Sequence, residues 1–315
     1  MASEDLDQVY ALIGLASKKE EIIPDYNASV KDVYTDFCGR YICQNASLLV
    51  LAFAAWRNKY PDLPSWVIDW TVIETSRPGI RSSWLSITPL FNACGGLMQN
   101  GSIWSENLLS VSGIEFDRIS NISETMESYQ RRTLTKWVDF CLLSANNGIY
   151  PSGCSFRDPY WRTICLDSNW TPTSTRRADN KDIYCLIQAV RSDGQLEPQF
   201  PVLESDLMSS GSLKNATEEV NMLTTITVFT HEHKLFITGK GYIGLGNCDI
   251  MVDDRVFILP GLQIPLLLRP AGVGRHQTVG LCDSYTVVSG SYVHGIMDGE
   301  VVKGSGWSMK DLVIE

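Results

Sequence analysis

The amino-acid sequence predicts an α+β fold, in which a helical N-terminal half packs on a small sheet and a C-terminal β-barrel-like module completes the structure. Apolar residues recur at helical spacing in the first half, whereas short β-branched and aromatic runs separated by glycines fill the C-terminal third. A hydrophobic content of 44% over 315 residues supports a sizeable core. We expect a mainly helical region with a short hairpin over residues 1–190, a mobile linker or insertion over 191–220 and a β-rich module over 221–315.

The helices are predicted from apolar periodicity and from residues that begin or end a helix. Residues 6–16 have helical spacing. Residues 29–45 form a second periodic run, which Ser29 can cap by accepting hydrogen bonds from the first free N–H groups. Later helices are predicted over 123–145 and over 160–166.

Extended structure is predicted between these helices. The prolines of residues 61–70 exclude a helix there and indicate a packed, extended segment. Residues 71–101 look like loop. Residues 102–119 have the composition of a strand, but Asn107 and Gly113 interrupt it, so we expect a hairpin or two short strands.

The sequence after residue 224 has a different character, with strand-like runs that alternate with glycine turns. Their spacing predicts a small barrel or rolled sheet. The runs are 225–230, 234–239, 242–245, 255–259, 264–269, 278–283, 285–288 and 292–296.

Composition and charge exclude several classes of function. The net charge of -10 disfavours binding to nucleic acid and to anionic membranes, because both carry negative charge. No apolar run reaches the roughly 18 residues that span a bilayer, and the acidic N-terminus lacks the apolar core of a secretory signal. The nine cysteines contain no C-x-x-C pair. We expect a cytoplasmic protein with reduced cysteines.

Several blocks of the sequence together resemble fungal heterokaryon-incompatibility (HET) proteins. The blocks occur in the family's order over nearly the whole chain, although Ile68 stands where the family usually has proline. They are D-Q-V-Y-A-L-I-G-L-A at 7–16, I-P-D-Y at 23–26, V-Y-T-D-F at 33–37, L-P-S-W-V-I-D-W at 63–70, Y-W-R-T at 160–163, G-K-G-Y-I-G-L-G at 239–246 and Y-V-H-G-I-M-D-G-E at 292–300.

The resemblance implies a place in the family and a kind of function. The name-giving HET domain lies upstream of the first block, so this chain is expected to correspond to the region after that domain. We expect an interaction or regulatory module connected with fungal non-self recognition and programmed cell death. Its expected partner is a protein, and its oligomeric state stays open.

Two motifs resemble ligand sites but favour a structural interpretation. Residues 239–244 match G-x-G-x-x-G, yet a strand-like run follows where a dinucleotide site needs a helix, which favours a glycine-rich β-turn. His231 and His233 could place two imidazoles on one strand face, as a metal site would. An exposed polar strand edge explains them better, and we expect neither a metal nor a cofactor.

The most interesting titratable set is near the C-terminus. His294 lies close in sequence to Asp298 and Glu300, and an imidazole beside carboxylates can act as a general base. Neighbouring glycines favour a loop between strands, in which His294 has a structural role.

The aromatic residues of the blocks at 63–70 and 160–163 could form either a packed core or a binding pocket. Trp66, Trp70 and Trp161, with Asp69 and Arg162, are expected to form a core clamp in which Asp69 pairs with Arg162 or caps a helix. The alternative is a pocket for an apolar small molecule. The chain would then be a stand-alone, cofactor-independent cyclase or isomerase of fungal secondary metabolism, with His294, Asp298 and Asp69 as candidate catalytic residues.

Overall fold

The structure is a computed structural model that describes residues 5–15, 23–54, 60–72, 80–99, 102–105, 107–127, 131–144, 149–191, 216–276 and 280–315. The helices are α1 (Asp7–Leu15), α2 (Val30–Asn45), α3 (Leu51–Ala54), α4 (Ile80–Ile87), α5 (Arg131–Ser144), α6 (Arg157–Ile164), α7 (Asn180–Arg191), α8 (Ala216–Thr230) and α9 (Glu300–Lys303). The strands are β1 (Ile103–Ser105), β2 (Leu108–Ile122), β3 (Ser168–Thr171), β4 (Ser174–Arg177), β5 (His233–Thr238), β6 (Ile243–Asn247), β7 (Arg255–Ile258), β8 (Leu266–His276), β9 (Gly280–Gly290), β10 (Tyr292–Val293) and β11 (Met309–Ile314).

The predicted helices α1 and α2 form where periodicity places them. Ser29 caps α2, because its hydroxyl accepts a 3.1 Å hydrogen bond from the backbone N–H of Asp32. One face of α2 is buried, as a helix with apolar periodicity requires.

The prediction of loop over residues 71–101 is wrong for α4. Its residues Trp84 and Ile87 are buried one turn apart. The Trp84 ring packs edge-on against Phe229 of α8, with ring centres 6.1 Å apart. This tertiary contact stabilises a helix too short to be recognised from its own sequence.

The predicted strand over 225–230 is also wrong, because these residues end helix α8. β-Branched residues favour strands, but the threonine hydroxyls here bond back to carbonyls one helical turn earlier, and three apolar side chains form a buried helical stripe. The hydroxyl bonds are Thr224 to Val220, Thr225 to Asn221, Thr227 to Leu223 and Thr230 to Ile226, and the stripe is Met222, Ile226 and Phe229.

The helix predicted to open at Ser123 begins later. The N–H of Ser123 donates to the carbonyl of Leu235 and that of Met126 to the carbonyl of His233, so this stretch runs beside β5 as extended chain. The following helix, α5, starts at Arg131. Pairing with the neighbouring strand takes the backbone groups that a helix would use.

Strand β2 is the centre of the sheet. It pairs antiparallel with β1, β5, β7 and β11, and β11 also pairs in parallel with β9. Pairings β9–β8 and β8–β7 then return to β2, so five strands form a barrel-like ring, and β5, β6 and β10 extend from it. The α+β class with a C-terminal barrel-like sheet is therefore confirmed, with one central strand supplied by the first half of the chain.

Gly113 does not interrupt β2, contrary to expectation. A Cβ atom at this position would lie 2.3 Å from Leu259 Cδ2, so the glycine lets the strand approach the segment that contains Leu259 closely.

The larger core cluster takes residues from both halves of the chain, from the first helix through β11. The division at 190 and 221 stays a prediction, and residues 192–215 of the expected linker lie outside the described residues.

Candidate functional site

A cluster of charged side chains lies where α6, β4 and the segment after β10 meet. Its residues are Asp158, Arg162, Asp167, Arg177 and Asp298, and we call it the arginine–aspartate cluster. Leu166 and Asp167 have left-handed φ angles of 51° and 45°. The chain therefore turns sharply after α6, and the N–H of Asp167 donates to the carbonyl of Arg162 at 2.6 Å.

The carboxylate of Asp167 is the bridge of this cluster. It is almost fully buried, with 7% of the side chain exposed, and accepts hydrogen bonds from two arginines. Arg162 Nη1 lies 2.6 Å from Oδ1, while Arg177 Nε and Nη2 lie 2.9 and 2.5 Å from Oδ2. Two guanidinium groups thus share one buried anion, and both of its oxygens accept charge-assisted hydrogen bonds, as a buried carboxylate requires.

Arg177 connects this bridge to the C-terminal segment. Its Nη1 and Nη2 atoms donate to the two carboxylate oxygens of Asp298 at 3.0 and 3.2 Å. The guanidinium also lies 5.0 Å from the ring centre of Phe91, which packs edge-on against Tyr292. The cluster therefore joins α6 and β4 to the chain after β10, and the aromatic rings of Phe91 and Tyr292 pack beneath Arg177.

Arg162 is satisfied on every side. It donates to Asp158 at 2.9 Å, to Asn180 at 2.7 Å and to the carbonyl of Ala178 at 3.2 Å, besides its bond to Asp167. Burial alone would lower the pKa of Arg162, but the neighbouring carboxylates of Asp167 and Asp158 raise it above its ordinary value. The guanidinium stays charged and fixed in position.

His294 lies beside the cluster but does not pair with Asp298. Its Nδ1 atom is 3.1 Å from the hydroxyl of Tyr292, and its backbone carbonyl accepts a 2.6 Å hydrogen bond from Tyr150. Burial lowers the pKa of His294, against the opposing effect of the carboxylates of Asp158 and Asp167. The imidazole is therefore neutral at pH 7, with a phenol as its polar neighbour.

This geometry favours a structural task for the predicted catalytic pair. Both oxygens of the Asp298 carboxylate bind Arg177, so that carboxylate does not orient the His294 imidazole. The predicted pair of an imidazole base and a carboxylate that orients it is therefore not formed, and the polar group at the imidazole is the Tyr292 hydroxyl. Sequence reasoning identified His294, Asp298 and Arg162 but missed Asp167 and Arg177, whose only local signal was a polar stretch near residue 177.

Trp66 and Trp161 belong to the larger buried core cluster, and Trp70 packs against it. Trp66 is fully buried and its indole N–H donates to the carbonyl of Asn107 at 2.8 Å. Trp70 packs edge-on against Phe37 on α2. Trp161, in α6, is buried and packs edge-on against Tyr160, its neighbour in the chain.

Asp69 does not pair with Arg162, contrary to the first of the two expected roles. Its buried carboxylate accepts hydrogen bonds from the N–H and hydroxyl of Thr71, at 2.9 and 2.6 Å, and from the N–H of Tyr60 at 3.3 Å. Asp69 therefore caps the short 3₁₀ turn Trp70–Val72, as the second expected role stated.

A surface hollow beside the β3–β4 hairpin has a polar wall. This hollow of about 490 Å³ lies between the hairpin and α8. Its wall consists of Asn169, Thr171, Thr173, Ser174, Arg176, Glu218 and Asn221, and contains none of the three tryptophans. Apolar small-molecule sites are mostly hydrophobic and aromatic, so this hollow does not fit the predicted pocket.

The predicted exposed edge at His231 and His233 is wrong. Both side chains are buried, and Glu232 between them has a left-handed φ of 56°, so they do not share a strand face. His233 stacks on Trp84 at 5.6 Å, with its Nδ1 2.6 Å from the carbonyl of His231. Among the described residues, no cluster of three or more His, Cys, Asp or Glu side chains could hold a metal ion.

The glycine-rich segment at 239–244 begins with a turn, as predicted, and its last two residues open strand β6. Gly241 has a left-handed φ of 88°, and its N–H donates to the carbonyl of Thr238. No helix N-terminus is available for a pyrophosphate at this turn.

Burial of His233 predicts a loss of stability in acid. Its pKa falls from 6.5 to about 4 because burial disfavours the charged imidazole. The unfolded chain then binds the proton more readily, so the stabilisation is complete above pH 6.5 and is lost as the pH falls to about 4. Over that range we expect a loss of about 3 kcal/mol in the free energy of unfolding from this residue.

Urea unfolding at a series of pH values measures this effect. The variant H233F keeps a flat ring against Trp84 but cannot titrate, so its stability should fall less steeply between pH 6.5 and 4 than that of the wild type. Equal slopes for the two proteins would show that His233 is not buried as a neutral imidazole.

None of the helices within the described ranges combines the length and apolar character that crossing a bilayer demands.

Comparison with known proteins shows similarity to heterokaryon-incompatibility proteins. Residues 212–307 match the family model described as the Het-6 beta-barrel domain, whose described part here runs from α8 past α9. The chain is 24% identical over 344 aligned residues to heterokaryon incompatibility protein 6, OR allele, of Neurospora crassa. The alignment covers 94% of this chain and 48% of that protein. The chain thus spans about half the length of this curated relative. No solved structure matches it. The predicted resemblance to HET proteins is confirmed.

Proposed function

We propose that this chain is an interaction module of HET type, which acts in the cytoplasm in fungal non-self recognition and contributes to a cell-death response. The observation that carries the proposal is the match to heterokaryon incompatibility protein 6 over 94% of the chain. Because that match spans 48% of the relative, the activity of the whole relative comes to this chain as part of the proposal.

The pairing of the polar groups in the candidate site supports a role in binding a partner protein rather than in catalysis. In the arginine–aspartate cluster, Arg162 and Arg177 are fully engaged by carboxylates and carbonyls. His294 is neutral and held by Tyr292. Such a cluster fixes the relative positions of α6, β4 and the segment after β10, and thereby shapes a rigid surface for a partner.

Pairing of fungal strains tests the proposal. A strain that expresses the chain is paired with an isogenic strain that does not, and growth of the fused mycelium and uptake of a vital dye are measured. We expect slower growth and dye uptake in fused cells. The variant W66A, whose core is disrupted, is the matched control and should permit normal growth. Normal growth with the wild-type chain in every pairing would contradict the proposal.

A further inference from the structure

A groove on the sheet surface beside α9 combines aromatic walls with one cation. Phe116, Lys240, Tyr242, Glu300 and Trp307 line it, together with the glycine-rich loop 304–306, and we call it the aromatic groove. Its volume is about 250 Å³. Binding sites for drug-sized molecules begin at roughly 300 Å³, so this groove fits one or two side chains of a peptide better than a whole small molecule.

The aromatic walls are held in place before any partner binds. Tyr242 packs edge-on against Phe116 with ring centres 5.0 Å apart. The indole N–H of Trp307 donates to the carbonyl of Val302 at 2.9 Å, yet 38% of this residue is exposed. A fixed, partly exposed tryptophan in a groove is the kind of residue that dominates binding energy at protein interfaces.

Lys240 supplies a charge that the chain itself does not neutralise. Its ammonium lies 4.6 Å from the ring centre of Phe116 and donates to the carbonyl of that residue. Within the part of the chain that the structure describes, no carboxylate lies at ion-pair distance from it, and Asp117 binds its backbone N–H instead. A cation of this kind in a protein of net charge -10 is complementary to an incoming carboxylate.

Two carboxylates also line the groove, and both are engaged by neighbouring groups of the chain. Glu115 pairs with Lys310 at 2.5 Å and with Arg255 at 3.6 Å. Glu300 accepts a 2.7 Å hydrogen bond from the N–H of Asp298, which engages its carboxylate locally.

Gly304 and Gly306 present backbone without side chains, and a Cβ at Gly306, whose φ is 93°, would have no neighbour within 4 Å. The backbone of an incoming segment can therefore approach this wall closely.

We propose that the aromatic groove docks a short segment of a partner protein, in which an apolar or aromatic side chain packs on Trp307 and Tyr242 and an acidic side chain pairs with Lys240. This inference builds on the proposed function, because it names the chemistry of the partner that an interaction module would bind.

Selection from a phage-displayed library of random peptides on the purified full chain tests the inference. We expect the wild type to select peptides that combine an acidic residue with an apolar or aromatic one. K240E should select basic residues instead. W307A should weaken binding of the selected peptide by about tenfold or more, as loss of an interface anchor does. K31E, with the same charge change on α2, is the matched control and should select as the wild type does.

The outcomes distinguish this inference from the proposed function. Failure to enrich such peptides, or enrichment that K240E and W307A leave unchanged, would overturn the groove assignment. If strain pairing still gave incompatibility, the proposed function would stand without it. If the peptides were selected but no pairing reacted, the groove would stand and the proposed function would fail.

Discussion

Replacing Asp167 with asparagine is expected to lower the free energy of unfolding by about 3–5 kcal/mol. The Asp167 carboxylate lies between the guanidinium groups of Arg162 and Arg177, and its side chain is nearly fully buried. Removal of the negative charge takes away the buried anion that the two cations share and leaves each with only an exposed carboxylate partner, Asp158 for Arg162 and Asp298 for Arg177. Asparagine tolerates the left-handed backbone of this position, so D167N changes the charge without adding backbone strain.

Chemical unfolding in urea measures this loss. D158N is the matched control, because the Asp158 carboxylate also pairs with Arg162 but its side chain is 57% exposed. Exposed ion pairs contribute about 1 kcal/mol or less, so D158N should be nearly as stable as the wild type. Similar small effects for both variants would mean that Asp167 is not the bridge of the cluster.

Replacing Trp66 with alanine is expected to cost about 3–5 kcal/mol. The side chain is fully buried, and its indole N–H satisfies the carbonyl of Asn107. W66F retains most of the packing but leaves that carbonyl without its donor, which should cost about 1–3 kcal/mol.

The comparison separates a core position from a ligand pocket. L143A removes an apolar side chain that is 88% exposed and should change stability by no more than about 0.5 kcal/mol. If W66A were as stable as L143A in thermal and urea unfolding, Trp66 would line a space rather than fill one. That result would revive the alternative of an apolar small-molecule pocket.

The parts of the fold that could be predicted are those whose local signal agrees with their tertiary packing. Helix α2 has both a capping serine and a buried apolar face, and the strands after residue 233 alternate with glycine turns. Helix α8 was missed because its threonines favour strands by propensity, and their bonds to the backbone of the preceding turn are not visible in sequence. The role of β2 depends on partners far along the chain.

The candidate site was predictable only in part for the same reason. The resemblance to HET proteins and the local titratable groups pointed to His294, Asp298 and Arg162. Arg177 and Asp298 are 121 residues apart in sequence, and nothing near either residue indicates the other. Long-range ion pairs depend on the fold, so sequence periodicity does not predict them.

We propose that the cluster and His294 shape a contact surface and perform no proton transfer. Strain pairing with the variant H294N tests it most directly, because asparagine can keep a polar group beside the Tyr292 hydroxyl but cannot act as a base at physiological pH. We expect the same incompatibility reaction as with the wild-type chain. Loss of the reaction in a variant that unfolds at the wild-type temperature would contradict it.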